Sequence, residues 1–553
     1  MKQLPKNKTP KLAALLAILI MTLLPGKALA VSFTIGDLSY ATLADNTVAV
    51  TAADKSCSGA IVIPATVAYN GVSYKVSLIG RSAFSSRTYL TSITISNGVT
   101  SIGDYAFEGC SNLSSINIPS SITSIGKAVF YGCSYLTSIT VEEENEFFSC
   151  IDGVLFSKDK KILICYPAKR KNGDKYDVPE GTTSIGYGAF ISCSSLTSVT
   201  IPQGVALIGE AAFRECSSLT SIVISNSVAS IGDYAFAECR SLPSVALPDG
   251  VTSIGVYAFG GCWDLTTISI PNSVTSIGAQ AFSGCSSLTS ITVPDGVTSI
   301  ESRTFSNCIK LTSIILPEGV TSIGDYAFSN CQSLTSITIP EGVLSIGDYT
   351  FASCSSLTSM TIPNTVVSID DYAFYDCSSL NSIVLSNSLT SIGVCAFRGC
   401  RSLFRVLIPE SVTVIKDQAF INCSNLNFVT CMATTPPALG TAVFNVTPSA
   451  KTLYVPKGTV GDYEASRWSE CFNTISEISE EASIEEVSIS DNKPQIVIND
   501  NNIEIRNLND GETISIFTSD GACVYQGKNN SVSLAPNKVY VLHTARGILK
   551  FAL

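Results

Sequence analysis

The residues of this 553-residue chain with the most chemical reach are twenty cysteines and one histidine, and their spacing argues against reactivity. A thiol becomes a nucleophile beside a base, or a zinc ligand when further ligands stand at Cys-x-x-Cys spacing. No Cys-x-x-Cys occurs, and thirteen cysteines (Cys110, Cys133 and eleven from Cys193 to Cys423) instead share one position of a 23-residue period. His543 stands near the end of the chain with no nucleophile motif around it. Any Ser-His-Asp or Cys-His arrangement would have to use it. Glycoside hydrolysis needs two acids held about 5 to 10 Å apart in a cleft, whereas the acids here, such as Glu318 and Glu341, recur on turns. Ser-Ile-Gly-Asp-Tyr lacks a phosphate-loop pattern. No catalytic residue, cofactor or metal is therefore expected, and the protein reads as non-enzymatic.

The elements that carry these residues follow from the period. Phenylalanine recurs every 23 residues from Phe190 to Phe420, each followed three residues later by a cysteine. A fixed period of this length marks a solenoid, whose coils bury their apolar side only by stacking. In the repeat from Cys331 to Phe351, Leu334-x-x-Ile337-x-Ile339 alternates as a strand does, and Pro340 ends the strand because it has no N–H to donate. Glu341-Gly342 turns the chain, Val343 and Ile346 face inward again, and Phe351 and Cys354 close the coil. Stacked cysteines would lie about 4.8 Å apart, but parallel Cβ vectors do not favour the perpendicular torsion of a disulfide. The ladder thus reads as buried free thiols. Cys57, Cys150, Cys165, Cys395, Cys431, Cys471 and Cys523 lie off it, and Cys150–Cys165 is the pair most suited to a bridge.

Residues 1–30 read as a secretory signal peptide: lysines 2, 6, 8 and 11, an apolar run from Leu12 to Leu24, and Ala28-Leu29-Ala30 for cleavage. That run is too short for a membrane span of about 20 residues, and no lipoprotein cysteine follows it. The leader holds five of the 34 basic residues and no acid, so the mature chain balances 29 basic against 45 acidic residues. That charge argues against nucleic acid or an anionic membrane surface as partner.

Leu-x-x-Ile-x-Ile followed by Pro-x-x-Val-x-x-Ile-Gly-x-x-Ala-Phe-x-x-Cys closely resembles the BspA-like leucine-rich repeats of bacterial cell-surface proteins, over roughly residues 57 to 478. The resemblance implies a right-handed solenoid with a parallel sheet on one side, and a role in adhesion or ligand binding. The fold class expected is mainly β, a leucine-rich repeat solenoid with 23-residue coils plus a small C-terminal β-sandwich. Residues 31–80 read as a β cap, 81–430 as the solenoid, 431–478 as a degenerate last repeat, 479–494 as an acidic linker and 495–553 as the sandwich. Between Phe130 and Phe190 the period slips, and segment 141–180 reads as a hairpin insert that protrudes from the stack. In the sandwich, Ile516-Phe517-x-x-Asp520-Gly521, Val539-Tyr540-Val541 and Lys550-Phe551 resemble a type IX secretion sorting domain, with a departure at Leu542-His543-Thr544.

Binding surfaces remain. Ser and Thr flank the middle inward residue of several strands (Ser138 and Thr140, Ser198 and Thr200, Ser290 and Thr292, Ser336 and Thr338, Ser359 and Thr361), an array able to bond glycans or an extended peptide, or merely to suit an exposed sheet. Toward the last coils that uniformity breaks at Val384, Arg405, Leu407, Phe428 and Thr430, the first choice for a contact site. The second is the basic cluster of the insert, Lys160, Lys161, Lys169, Arg170 and Lys171, although Glu142 to Glu146 precede it and offer internal pairing. A tyrosine stripe two residues before each Phe, including Tyr326, Tyr349 and Tyr372, suits either sugars or the cover of the coil edge. The expected function is that of an exported surface or secreted binding protein, an adhesin for an extracellular protein, cell or glycan. A glycan-capturing accessory of polysaccharide uptake, or a structural spacer, would share the same features.

Overall fold

The computed structural model describes residues 30–43, 45–170, 174–444 and 451–478, and in the C-terminal segment 495–499, 502–506, 514–518, 523–527, 531–534, 539–544 and 547–552. Residues 1–29 of the expected leader, the linker 479–494 and Lys171 lie outside them. The chain forms two compact units, residues 1–160 with 165–171, and residues 161–164 with 172–553.

The regular coils of the second unit share one plan. The strand Ser290–Thr292 pairs in parallel with Ser313–Ile315, with Ser290 opposite Ser313 and Ile291 opposite Ile314, an offset of one repeat. After the proline the chain turns, Val297 N–H donating to the Pro294 carbonyl at 3.0 Å. A two-residue strand, Ser299–Ile300, then pairs with Ser322–Ile323. The rest of the coil is two linked turns. Around Phe328, the N–H groups of Tyr326, Phe328 and Asn330 donate to the next coil (Asp348, Thr350 and Ala352 O, 2.9, 2.9 and 2.7 Å), while those of Ala327, Ser329 and Cys331 close turns within their own coil. The alternation requires left-handed backbone at Tyr326 (φ 59°) and Asn330 (φ 62°), and it leaves none of these buried donors unpaired.

Two side-chain ladders fill the space behind the turns. From Phe190 to Phe420 each ring is fully or almost fully buried, and neighbouring centroids lie 4.7 to 5.7 Å apart. Beside it, the cysteine thiols from Cys216 to Cys423 donate to the carbonyl of the phenylalanine one coil earlier, as from Cys331 to Phe305 O and from Cys354 to Phe328 O, both at 3.2 Å. A thiol matches this slot because it is nearly apolar yet retains a weak donor. Close approach of the coils also explains the glycine after the short strand. A Cβ on Gly255 would stand 2.4 Å from Asp233 N, and Asp233 Oδ1 accepts the Val256 N–H at 2.7 Å.

The first unit begins with antiparallel strands Ser32–Ile35, Leu38–Thr42 and Thr47–Ala53, the last of them parallel to Val72–Ile79. The rings of Phe33 and Tyr69 stack among these strands. Coils bearing Phe84, Phe107 and Phe130 follow. The insert forms the hairpin Phe148–Ile151 with Val154–Ser157 about Asp152-Gly153. It does not protrude as expected: Val154, Leu155 and Phe156 are fully buried, and Ile139 N–H donates to Gly153 O at 2.9 Å. Nor is there a Cys150–Cys165 bridge. Both are free thiols, because Cys150 falls opposite Leu155 in the hairpin register.

The second unit ends its ring stack with Phe444 on Phe420 at 5.2 Å, then with Trp468 and Phe472 packed on Phe444. A short helix, Val460–Glu464, and a 3-10 turn, Arg467–Glu470, bring Trp468 there, and its indole N–H donates to Pro437 O at 2.9 Å. Beyond it lie a three-stranded and a four-stranded antiparallel sheet, the latter including Val539–Thr544, so the strand continues through Leu542-His543-Thr544.

Candidate binding surface

The thiols are the first group the structure removes from consideration. Burial pushes Cys110, Cys308 and Cys354 up to about 12, desolvation being the main cause, so they stay protonated and shielded. Among the described residues no group of three or more His, Cys, Asp or Glu is placed to hold a metal ion.

Hydroxyls are next. Where a threonine precedes the strand it donates to the preceding coil, as Thr312 does to Thr289 O at 3.0 Å and Thr266 to Pro243 O at 2.9 Å. Much of the Ser and Thr content therefore serves coil-to-coil bonding. On the sheet face itself, Thr140 bonds Asn117 Oδ1 at 2.9 Å.

The last coils differ. The strand Arg405–Ile408 pairs with Phe428–Cys431, placing Arg405 beside Phe428 and Leu407 beside Thr430. The next strand, Thr452–Val455, sets Thr452 beside Phe428 and Tyr454 beside Thr430. Val406, Ile408, Val429 and Cys431 face the core, so the alternate residues face outward. Leu407 is 38% exposed and Val384, one repeat earlier in the same column, 39%. Two aromatics that sequence reasoning missed extend this surface. Phe404, 40% exposed, meets Phe428 edge-on at 5.3 Å, and Phe428 lies 6.4 Å from Tyr454. The signal for Phe404 was present, since it is the aromatic member of a column that otherwise reads Thr312, Thr335, Thr358, Asn381 and Asn427. Tyr454 was hidden because the last repeat is one residue longer, Thr430 to Tyr454. Arg401 and Arg405 are exposed on the same coil, a local positive charge on an acidic chain. The patch is thus an aromatic and aliphatic cluster with two exposed guanidinium groups on the same coil.

The basic cluster is less coherent. Lys160, Lys161 and Lys169 are exposed, Lys161 in the second unit and the others in the first. Arg170 Nε donates to Asp152 O at 3.1 Å and its guanidinium covers the Tyr166 ring. Lys158 caps the Glu143 and Asn145 carbonyls, and Glu142 accepts from Ser120 N–H at 2.7 Å. Several of these charges therefore hold the insert in place.

Among solved structures, the chain is similar to a leucine-rich repeat protein from Bacteroides ovatus, with 28% identity, 81% of this chain and 100% of that one covered, and a TM-score of 0.46. A leucine rich cell surface protein from Faecalibacterium prausnitzii is 26% identical over 82% of this chain and 97% of that one, with a TM-score of 0.35. The pneumococcal vaccine antigen PcpA is 18% identical over 65% of this chain and 100% of that one, with a TM-score of 0.30. No curated protein matches. The model of the BspA type leucine rich repeat region matches residues 70–163, 168–288, 252–364, 275–403 and 344–475. With the stacked 23-residue coils and their Phe and Cys ladders, that match over most of its length makes this chain a member of the BspA-type leucine-rich repeat family.

Proposed function

We propose that the protein is an exported, non-enzymatic adhesin that binds an extracellular protein, cell or glycan through the outward face of its last coils. The observation that carries this reading is the change of surface at Arg405–Ile408 and Phe428–Cys431. There Phe404, Arg405 and Phe428 cluster where most earlier rungs carry Ser, Thr or Asn, and Leu407 joins them in a column that is also apolar at Val223, Ile315 and Val384. Export rests on the leader pattern of residues 1–30 and on the C-terminal likeness to sorting domains. No helix among the described residues is long and apolar enough to cross a membrane.

The test is a binding screen of the full chain against matrix proteins and a glycan array, repeated with Arg405, Leu407 and Phe428 all changed to Ala. Aromatic and arginine anchors of this kind contribute about 2 kcal/mol or more each, so the triple variant loses micromolar binding while its circular dichroism is unchanged. Unchanged affinity overturns the assignment of the site. A wild-type chain with no ligand at micromolar concentration overturns the adhesin reading.

A further inference from the structure

Three tyrosines on successive coils stack ring on ring. The centroids of Tyr326 and Tyr349 lie 4.6 Å apart and those of Tyr349 and Tyr372 4.5 Å apart, with planes within 5° and 3° of parallel. Their backbones hold this arrangement. All three have left-handed φ (59°, 54° and 59°), and their N–H groups donate to the next coil at Asp348, Asp371 and Val394 O, 2.9, 3.0 and 2.8 Å away. The Arg303 guanidinium covers the outer face of Tyr326, 4.5 Å from its centroid. The three tyrosines are only part-buried. Elsewhere in the column the geometry is looser: Tyr234 and Tyr257 are 5.6 Å apart and tilted by 44°.

We propose that Tyr326, Tyr349 and Tyr372 form an oxidative cross-linking site, where neighbouring phenols couple to dityrosine and join successive coils covalently. A one-electron oxidant of the peroxidase class removes one electron from each phenol, and each phenolic proton passes to water. The two phenoxyl radicals pair through a Cε–Cε bond, after the rings rock about Cα–Cβ to bring these carbons together. Each coupled carbon then gives up its hydrogen as the phenolic oxygen regains one, restoring both rings. Two electrons and two protons leave in all, and reduction of one hydrogen peroxide to two waters accepts them. The array supplies the encounter that free tyrosines reach only by diffusion.

The test treats the full-length protein with a haem peroxidase and hydrogen peroxide, then cleaves at acidic residues. Glu341 and Asp370 separate the three tyrosines. Expected are two linked peptide pairs, 326 with 349 and 349 with 372, together with dityrosine fluorescence. Tyr349→Phe retains a stacked ring but removes the shared phenol, so both pairs are lost; Tyr326→Phe loses only the first. Circular dichroism of each variant establishes that the coils persist. The proposal is overturned if Tyr349→Phe leaves the yield unchanged, if Tyr234–Tyr257 or the denatured chain couples as well, or if no dityrosine forms at doses that couple free tyrosine.

Discussion

Alkaline pH should dismantle this fold through its thiols, to a degree the structure sets. Cys110, Cys308 and Cys354 are raised from 9.0 to about 12 by burial, each fully enclosed beside the phenylalanine stack. The unfolded chain therefore releases these protons first. Their contribution is complete below pH 9 and declines as pH rises toward 12. Linkage makes the loss a little over 1 kcal/mol per thiol per pH unit, so these three remove roughly 4 kcal/mol by pH 10. Guanidinium unfolding followed by circular dichroism at pH 8, 9 and 10 measures this in the wild type and in Cys308→Ala/Cys354→Ala. The double variant is less stable at pH 8, because two side chains leave small cavities. Its pH slope should nevertheless be shallower by roughly 2 to 3 kcal/mol per unit, two thiols having been removed from the titration. Tyrosines titrate in both proteins and cancel in the comparison. Equal slopes would refute the reasoning, since the thiols would then not be the groups whose protons unfolding releases.

Two further outcomes follow from the same packing. Phe328, stacked between Phe305 at 5.6 Å and Phe351 at 5.4 Å, should cost about 3 to 5 kcal/mol as Phe328→Ala. Hydrogen exchange should localise the loss, with protection at the Phe305, Phe328 and Phe351 amides falling by about two to three and a half orders of magnitude while Phe397 changes little. Glycines should divide by surroundings: Gly255→Ala, whose Cβ meets Asp233 N at 2.4 Å, lowers stability by about 1 to 3 kcal/mol. Gly461→Ala, with open space in a helix, raises it by about 0.5 to 1 kcal/mol; thermal melts of the two variants check both signs.

The sequence displayed the coil because the coil is periodic. Leu, Ile, Phe and Cys at fixed offsets declared the inward face, and Pro and Gly the corners. Less was legible where the determinant is relational. That Gly255 is required by Asp233 one coil away, or that Tyr326 needs a left-handed backbone, cannot be read from either residue alone. The insert was expected outside the stack about a turn at Ser157 to Lys161, whereas its hairpin about Asp152-Gly153 carries the fully buried Val154-Leu155-Phe156. At the candidate site the break in the repeat located Arg405, Leu407 and Phe428. Phe404 and Tyr454 emerged only once the register showed which rungs are neighbours.

Most bonds between coils recur at a fixed sequence distance, 23 residues for the threonine hydroxyls before the strands and 26 for the thiols. Removing or duplicating one whole repeat within the regular array would therefore join groups that already match, with each carbonyl finding an equivalent donor. The fold imposes no particular number of rungs. Recombination between near-identical repeats can lengthen or shorten such an array without solving a new packing problem. Change is confined at the two ends, where Phe33 with Tyr69 and Phe444 with Trp468 are unique partners that no neighbouring repeat can replace.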